Sequence, residues 1–434
     1  MPPIPAVTIA EKYGSRSAVG VAKETAFGTP LTPTSYLPMT GCTINPEVGL
    51  FSPAVMMGSR DLNIFPLYGE YKFAGAIDGP IFPSNGIPII VAAIGPDGGR
   101  LGVNSASSAG NGHGVTGTAG GSVNTTLSAA VATTGATSIS VTSSTGITPN
   151  TTLIQIDTNN VATPTTAEVR KVTAVSGTGP YTLTLDSALS FTHASAAPVV
   201  SVVAPYTHTI LQGDILDSLT VEKNLGDFQS EQYAGSRVDK LAIKAAAGNT
   251  EATMTADVMS LSQAVLSTPS AISVVDELPF VFAEAVVSLY GTQVLQSTSI
   301  DISIANGVKE TYTLAQQHNP QFLTPVTRKV TGSLITVWDS NTDATYGYYN
   351  QMFAQVDNAT AFGALTLNFT HGTSAGGGGI ALTFNQVRFS KTTDDLKMAD
   401  VVLQTLDFEA FRDLTATPNA TLSATITDSQ YLPF

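Results

Sequence analysis

Residues 70–77 read EYKFAGAI, and residues 327–334 read TRKVTGSL. In each, a basic residue, an apolar residue, a small residue, a glycine and a second small residue precede an apolar one. Lys72 stands three before Gly75, and Lys329 three before Gly332. The rhyme raises the question of whether the chain holds one unit twice. Each stretch reads as an alternating strand followed by a helix candidate. After the first it is 87–95 (IPIIVAAIG). After the second it is 343–356, where Tyr346, Tyr349, Met352, Phe353 and Val356 share one helical face.

Period-2 alternation continues outward in both directions. Residues 219–223 (LTVEK), 238–243 (VDKLAI) and 252–257 (ATMTAD) read as strands, as do 299–304 (SIDISI), which end at an Asn306-Gly307 turn signal. Strands 364–369, 380–389, 399–408 and 420–426 complete the series. LTVEKN at 219–224 parallels LTFNQV at 382–387, VDKLAI parallels ADVVLQ at 399–404, and ATMTAD parallels ATLSAT at 420–425. The shared order predicts a duplication. The competing reading is one large β domain with look-alike strands.

Residues 105–204 differ from their surroundings. They are nearly devoid of charge and dense in Gly, Ser, Thr and Ala, with strand-like pieces at 138–142, 152–157, 167–175 and 181–185. This predicts a small all-β domain inserted into a host, with Gly-rich segments such as 110–121 as flexible linkers. Residues 1–35, rich in Pro, Thr and Gly, read as an extended arm. The expected division is therefore an arm at 1–35, a first unit at 36–104 and 205–285, the insert at 105–204, and a second unit at 286–434.

Only 12% of the 434 residues are charged, and the net charge is −14. Such low charge points to surface buried against other protein. The acidic balance and the lack of any Lys/Arg cluster disfavour a protein that grips nucleic acid through phosphates. Cys42 is the single cysteine, so no internal disulfide forms. The N-terminal stretch lacks a basic segment followed by a long apolar one, so no signal peptide is expected, and no apolar run reaches membrane-span length. The chain is expected to be made in the cytoplasm.

A long loop precedes each glycine strand, 45–68 and 307–327. Loops of this length inside a compact unit usually have a task. Phe51, Val55, Met56, Met57 and Phe65 in the first, with Tyr312, Gln321 and Phe322 in the second, are the candidate contact residues between subunits or rings. Apolar side chains here seek a partner surface, or else fold back on their own core.

The stretches GVAKETAFGTPLTPTSYLP (20–38), EYKFAGAIDG and RKVTGSLITVW, with the helix candidate and ALTLNF that follow, resemble a major tail tube protein of a long-tailed, siphovirus-like bacteriophage. The resemblance covers the chain outside 105–204. It implies a mainly β fold of packed β-sheets, a β-sandwich or barrel with a flanking helix per unit. It implies rings of six such domains stacked into a hollow tube, bridged by long loops and arms, through which DNA leaves the capsid. Two tandem tube domains per chain would need three chains per ring, a trimer with pseudo-sixfold symmetry and about 24 strands. The implied partners are the chain itself, the tape measure, terminator and distal tail proteins, and DNA that passes without specific binding. The implied location is the virion tail, assembled in the host cytoplasm. The lumen face is expected to be net negative. The insert resembles the immunoglobulin-like (Ig-like) decorations of phage tails and is expected to point outward, with either weak adhesion to host-surface carbohydrate or no measurable activity as its role.

Enzyme signatures are missing. The histidines at 113, 193, 208, 318 and 371 show no HExxH or Cys/His spacing, and GGGG at 376–379 is not followed by Lys-Ser/Thr. Asp339, Asn341 and Asp343 begin like a calcium loop, but Ala344 and Asn350 stand where Gly and Glu are required. No cofactor, metal or catalytic group is expected. Two alternatives remain. One is a secreted or cell-surface β-sandwich adhesin that binds carbohydrate. The other is a glycan-active tail enzyme using two carboxylates.

Overall fold

Alternation of Val, Ile, Thr and Leu recurs along this chain, and its described residues fold mainly as antiparallel β-strands. The computed structural model describes residues 17–52, 66–95, 113–157, 166–226, 229–274, 276–315, 318–338, 363–371, 378–395, 401–413 and 420–432. The first strands are β1 (Ala18–Lys23), β2 (Ser35–Leu37), β3 (Gly41–Cys42), β4 (Asn45–Phe51) and β5 (Leu67–Pro80), followed by helix α1 (Ile87–Ile94). Next come β6 (His113–Thr126), β7 (Ser138–Val141), β8 (Leu153–Ile156), β9 (Glu168–Ser176), β10 (Tyr181–Leu185) and β11 (Pro198–Leu211). Then follow β12 (Leu219–Asn224), β13 (Ser230–Ala246), β14 (Thr253–Ser260), β15 (Ser262–Leu266), β16 (Ala285–Leu289) and β17 (Thr292–Gln293). The last are β18 (Ser297–Ala305), β19 (Val308–Thr311), β20 (Phe322–Pro325), β21 (Lys329–Val337), β22 (Gly363–Thr370), β23 (Gly379–Asp395), β24 (Leu403–Phe411) and β25 (Leu422–Asp428).

One layer is a long sheet in the order β4–β5–β14–β13–β18–β21–β24–β23. The other layer holds two shorter runs. These are β2–β1–β12–β13–β15 and β17–β16–β22–β23–β25. β13 and β23 appear in both layers because each is 17 residues long and crosses between them. Residues 230–236 of β13 pair with β12 and β15, and its remainder pairs with β14 and β18. Residues 379–384 of β23 pair with β25, and residues 386–395 pair with β24.

The same sequence of pairings therefore runs through β1–β5 with β12–β15 and through β16–β18 with β21–β25. The agreement reaches single residues. β13 and β14 slip register between Val238 and Lys240, which places Lys240 opposite Asp257. β23 and β24 slip between Phe389 and Lys391, which places Lys391 opposite Asp407. Gly75 lies opposite Val258, and Gly332 opposite Phe408. Both glycines stand where a neighbouring backbone leaves no room. A Cβ on Gly75 would lie 2.3 Å from the Thr43 carbonyl oxygen, and one on Gly332 would lie 2.5 Å from that of Asp301.

This pairing corrects the strand matches read from alternation. LTVEKN forms β12, whose counterpart in the pairing order is β22 (ALTLNF). LTFNQV instead spans the layer crossing of β23. Alternation fixes which face a residue takes but not which neighbour its strand pairs with.

One apolar core lies between the layers. Val19, Val221, Leu241, Ile243, Ile302, Leu334, Leu382, Leu406 and Ile426 are all buried in it. Each such side chain contributes about 1.5–3 kcal/mol on burial. Helix α1 is embedded there, started by Pro88 and stopped by Gly95, whose left-handed backbone (φ 68°) donates to the Val91 carbonyl. The second helix expected, 343–356, lies outside the described residues.

The insert has an apolar core of its own, with Val123, Ile139, Val141, Ile154, Leu183 and Val199 buried together. Its expected strands form. However, 113–126 is a 14-residue strand and not the flexible linker its glycines suggested. Those glycines make room for β11: a Cβ on Gly117 would lie 2.6 Å from Val202. β6 and β11 continue past the insert, and residues 206–211 of β11 pair with β25. The arm expected over 1–35 is also interrupted. Residues 18–23 are strand β1, paired with β12, with Val19 and Val21 fully buried.

Candidate assembly interface

The long sheet ends in two strands with one paired side each. Among the described residues, β4 pairs only with β5, and Lys391–Asp395 of β23 pair only with β24. A bare row of backbone N–H and C=O groups is a template for another strand. All of β4 is exposed. Its edge is nonetheless blunted. Pro46 brings no N–H, and the Ile44 carbonyl just before it accepts a 2.9 Å hydrogen bond from Lys223 Nζ, with the Tyr233 hydroxyl 3.1 Å away. Lys223 also donates to Asn45 Oδ1 at 2.9 Å and pairs with Glu231 at 3.0 Å. Sequence reasoning did not find these edges. An edge is a property of topology, and Pro46 inside a strand was its one local signal.

The β4–β5 hairpin and the β19–β20 hairpin hold each other. Tyr71 stacks on His318 with ring centroids 4.9 Å apart, and its backbone N–H donates to the His318 carbonyl at 2.8 Å. The Tyr312 hydroxyl donates to the Tyr71 carbonyl at 2.9 Å. Burial, reinforced by Glu310, pushes the Tyr312 phenol well above its usual range. Tyr312 and Gln321 also make contacts within the chain, the Gln321 side chain accepting from Thr313 and its backbone N–H donating to the Thr311 carbonyl. Phe51 and Phe322 are half exposed, at 55% and 49%. Val55, Met56, Met57 and Phe65 lie outside the described residues. Leu50, Leu67 and Tyr68, not singled out from sequence, join Phe51 as exposed apolar side chains of the first hairpin.

The face of the long sheet turned away from the core is polar. Its cations lie across from carboxylates on neighbouring strands: Lys72 from Glu47, Lys240 from Asp257, Lys244 from Asp301, Arg388 from Glu409 and Lys391 from Asp407. Lys329 Nζ reaches Glu409 at 3.4 Å. Burial, with Asp239 and Asp78 nearby, raises the Asp257 carboxyl above the usual range against the pull of Lys240.

Two buried polar knots brace the long sheet and the insert. Arg328 donates to the Ile94 and Gly213 carbonyls, each at 3.0 Å, and to Asn306 Oδ1 at 2.9 Å. The Asn306 amide in turn donates to the Ala93 and Val238 carbonyls. This fastens the end of α1 to the β13–β18 junction, and burial pushes the Arg328 guanidinium down to about 10. Where the insert's long strands meet β25, His113 Nε2 lies 3.0 Å from His208 Nδ1, and His208 Nε2 lies 3.2 Å from Asp428. Burial first, then His208, holds His113 well below the usual histidine range.

Among the described residues no group of His, Cys, Asp and Glu is placed to hold a metal, and no helix is long and apolar enough to cross a membrane. A family model described as phage tail tube protein matches residues 14–410 of the chain. No curated protein matches it.

Proposed function

Because this chain belongs to the phage tail tube protein family, we propose that its long sheet is one arc of the tube wall and that three copies close the ring. Membership gives a structural role in the virion tail, and lends no support to an adhesin or a glycan-cleaving enzyme. The observation that carries the finer reading is the junction of β13 with β18. There the first four strands of the arc hand over to the next four, from Lys240 opposite Ala305 to Ala246 opposite Ser299. The same handover between chains would join β23 of one copy to residues 41–47 of the next. The shared bulge sets β23 on β13, and the two close-packed glycines set 41–47 on 299–305. In that register Lys391 meets Glu47, and Thr393 meets Asn45.

The twofold pairing order supports a duplicated tube domain, the first built from β1–β5, α1 and β12–β15 and the second from β16–β25. Eight strands per chain and three chains give about 24 strands, and at ~4.8 Å spacing and about 45° tilt the wall is roughly 50 Å across. DNA would pass inside. The Ig-like insert would sit outside, since β11 continues from β25 in the layer behind the wall, where the expected touch on host carbohydrate is open to it. The hairpin carrying Leu50, Phe51 and Tyr68 would reach the adjacent ring, and tube ends would meet the other tail proteins.

Asn45→Cys with Thr393→Cys tests the register. Oxidised tubes should yield covalently closed trimers on a non-reducing gel, while either single variant should not. Covalent hexamers would remove the three-chain ring and keep the edge pairing. No cross-link in intact tubes would remove the edge pairing.

A further inference from the structure

We propose that duplex DNA slides along the polar face of the long sheet, and that carboxylates on neighbouring strands hold its lysines and arginine off the phosphates. The inference rests on the tube reading above. A net charge of −14 led to the expectation of an acidic lining. Among its carboxylates the face also carries Lys72, Lys240, Lys244, Lys329, Arg388 and Lys391. Exposed cations repeated around a tube would retain DNA. Each phosphate contact releases counterions and adds about 0.9 to the slope of log affinity against log salt.

On this sheet every one of those cations has its counter-charge built in. Opposite charges directly across an antiparallel pair lie about 5 Å apart at Cβ, close enough to attract. Five of the six cations have a carboxylate directly opposite, and Lys329 reaches Glu409 along the face. A phosphate must therefore compete with a carboxylate on the neighbouring strand, in contact at Lys329–Glu409 and opposite in register at the other five. Ala74, Ala76, Ala242, Thr255, Ser303 and Ser333 fill positions among the charges and offer no aromatic plane for bases to stack on. The lining is non-adhesive because its cations are paired, and a further carboxylate, Asp78 beside Asp257, adds repulsion to that pairing.

The test uses assembled tubes and a short fluorescent duplex, read by co-sedimentation at about 50 mM and 200 mM salt. Wild-type tubes should carry down little DNA. Tubes of Asp257→Asn with Asp407→Asn should retain at least tenfold more at low salt and lose it at high salt. A variant with the inner pair exchanged (K240D, D257K), which leaves the Lys391 edge untouched, should behave as wild type. If the neutralised variant fails to assemble, Glu409→Gln, at an exposed site serving Lys329 and Arg388, gives the same reading. Intact tubes whose DNA retention ignores these substitutions overturn the inference and leave the tube standing. Wild-type protein that forms no tubes overturns the tube reading itself.

Discussion

The long sheet contains a sealed junction between its two four-strand halves and, at its ends, two edges that are open. At β13–β18, seven successive residue pairs run through the strands, Ile243 and Ile302 fill the core beneath, and Arg328 and Asn306 clamp one end. At the ends the same geometry is left weaker. Lys391 and Thr393 are exposed, Pro46 withholds a donor, and Lys223 occupies the Ile44 carbonyl. The difference is one of timing. The inner junction forms as the chain folds, while a blunted edge resists pairing with whatever strand it meets first. In the proposed ring such an edge would gain its selectivity from side chains.

The sealed junction should break most dramatically at its clamp. Arg328→Ala leaves the Gly213 carbonyl and Asn306 Oδ1 without this donor, and the Ile94 carbonyl with only the 3.3 Å bond from the Gly213 N–H, at about 1–3 kcal/mol for each buried group left unsatisfied. A loss of about 3 kcal/mol or more is expected in urea unfolding, with Arg328→Lys recovering only part, since one ammonium cannot span three acceptors. A cost under 1 kcal/mol would show that the clamp is not what distinguishes this junction.

The two glycines sharpen the comparison between the halves. Gly75→Val and Gly332→Val each drive a side chain into a neighbouring backbone, and each should cost roughly 1–3 kcal/mol by overpacking. Similar losses in thermal melts would fit equivalent positions. A loss at one site alone would speak against equivalence.

The glycine rhyme was legible because close approach leaves a residue-type signature. So was α1, from Pro88 and Gly95. The strand at 113–126 was hidden because glycines chosen to let β11 pass look like a linker. The strand correspondences slipped because β13 and β23 change layers midway, and alternation carries no mark of that crossing. Loop position alone suggested the contact residues, and it carried no mark of the hydrogen bonds that Tyr312 and Gln321 make inside the chain. The edges at Pro46 and Lys391 become visible only once the neighbours of every other strand are known.

The insert offers a smaller contrast, because its joint to β25 depends on buried histidines rather than on the arginine clamp. His113 is held neutral when folded, while the unfolded chain takes up a proton below about 6.5. The unfolded state then binds more protons, so stability is full above pH 6.5 and falls as the pH drops below it. The slope is at most about 1.4 kcal/mol per pH unit for this one group. Melting curves at pH 7 and pH 5 should show the insert side loosening first, and His113→Asn should flatten the difference. An unchanged pH response in that variant would assign the effect to other groups.

The smallest effect on folding should come from the open edge, and that is what would identify it. Lys391→Glu alters an exposed side chain that faces Asp407 within the chain, so monomer stability should fall by no more than about 1 kcal/mol. Assembly should respond far more, because in the proposed register the new carboxylate faces Glu47 of the next copy three times in each ring. A like charge directly across a strand pair is destabilising, and three such pairs per ring multiply the penalty. Tube growth followed by light scattering should slow at least tenfold at low salt and recover as salt screens the repulsion. Glu47→Lys in the same chain should restore growth without salt. Glu47 already faces Lys72 within the chain, so that rescue places a lysine beside a lysine. Recovery despite this internal cost would show that the contact across chains governs assembly. No recovery, with Lys391→Glu still blocking growth, would place the edge of β23 in the interface but against a strand other than β4.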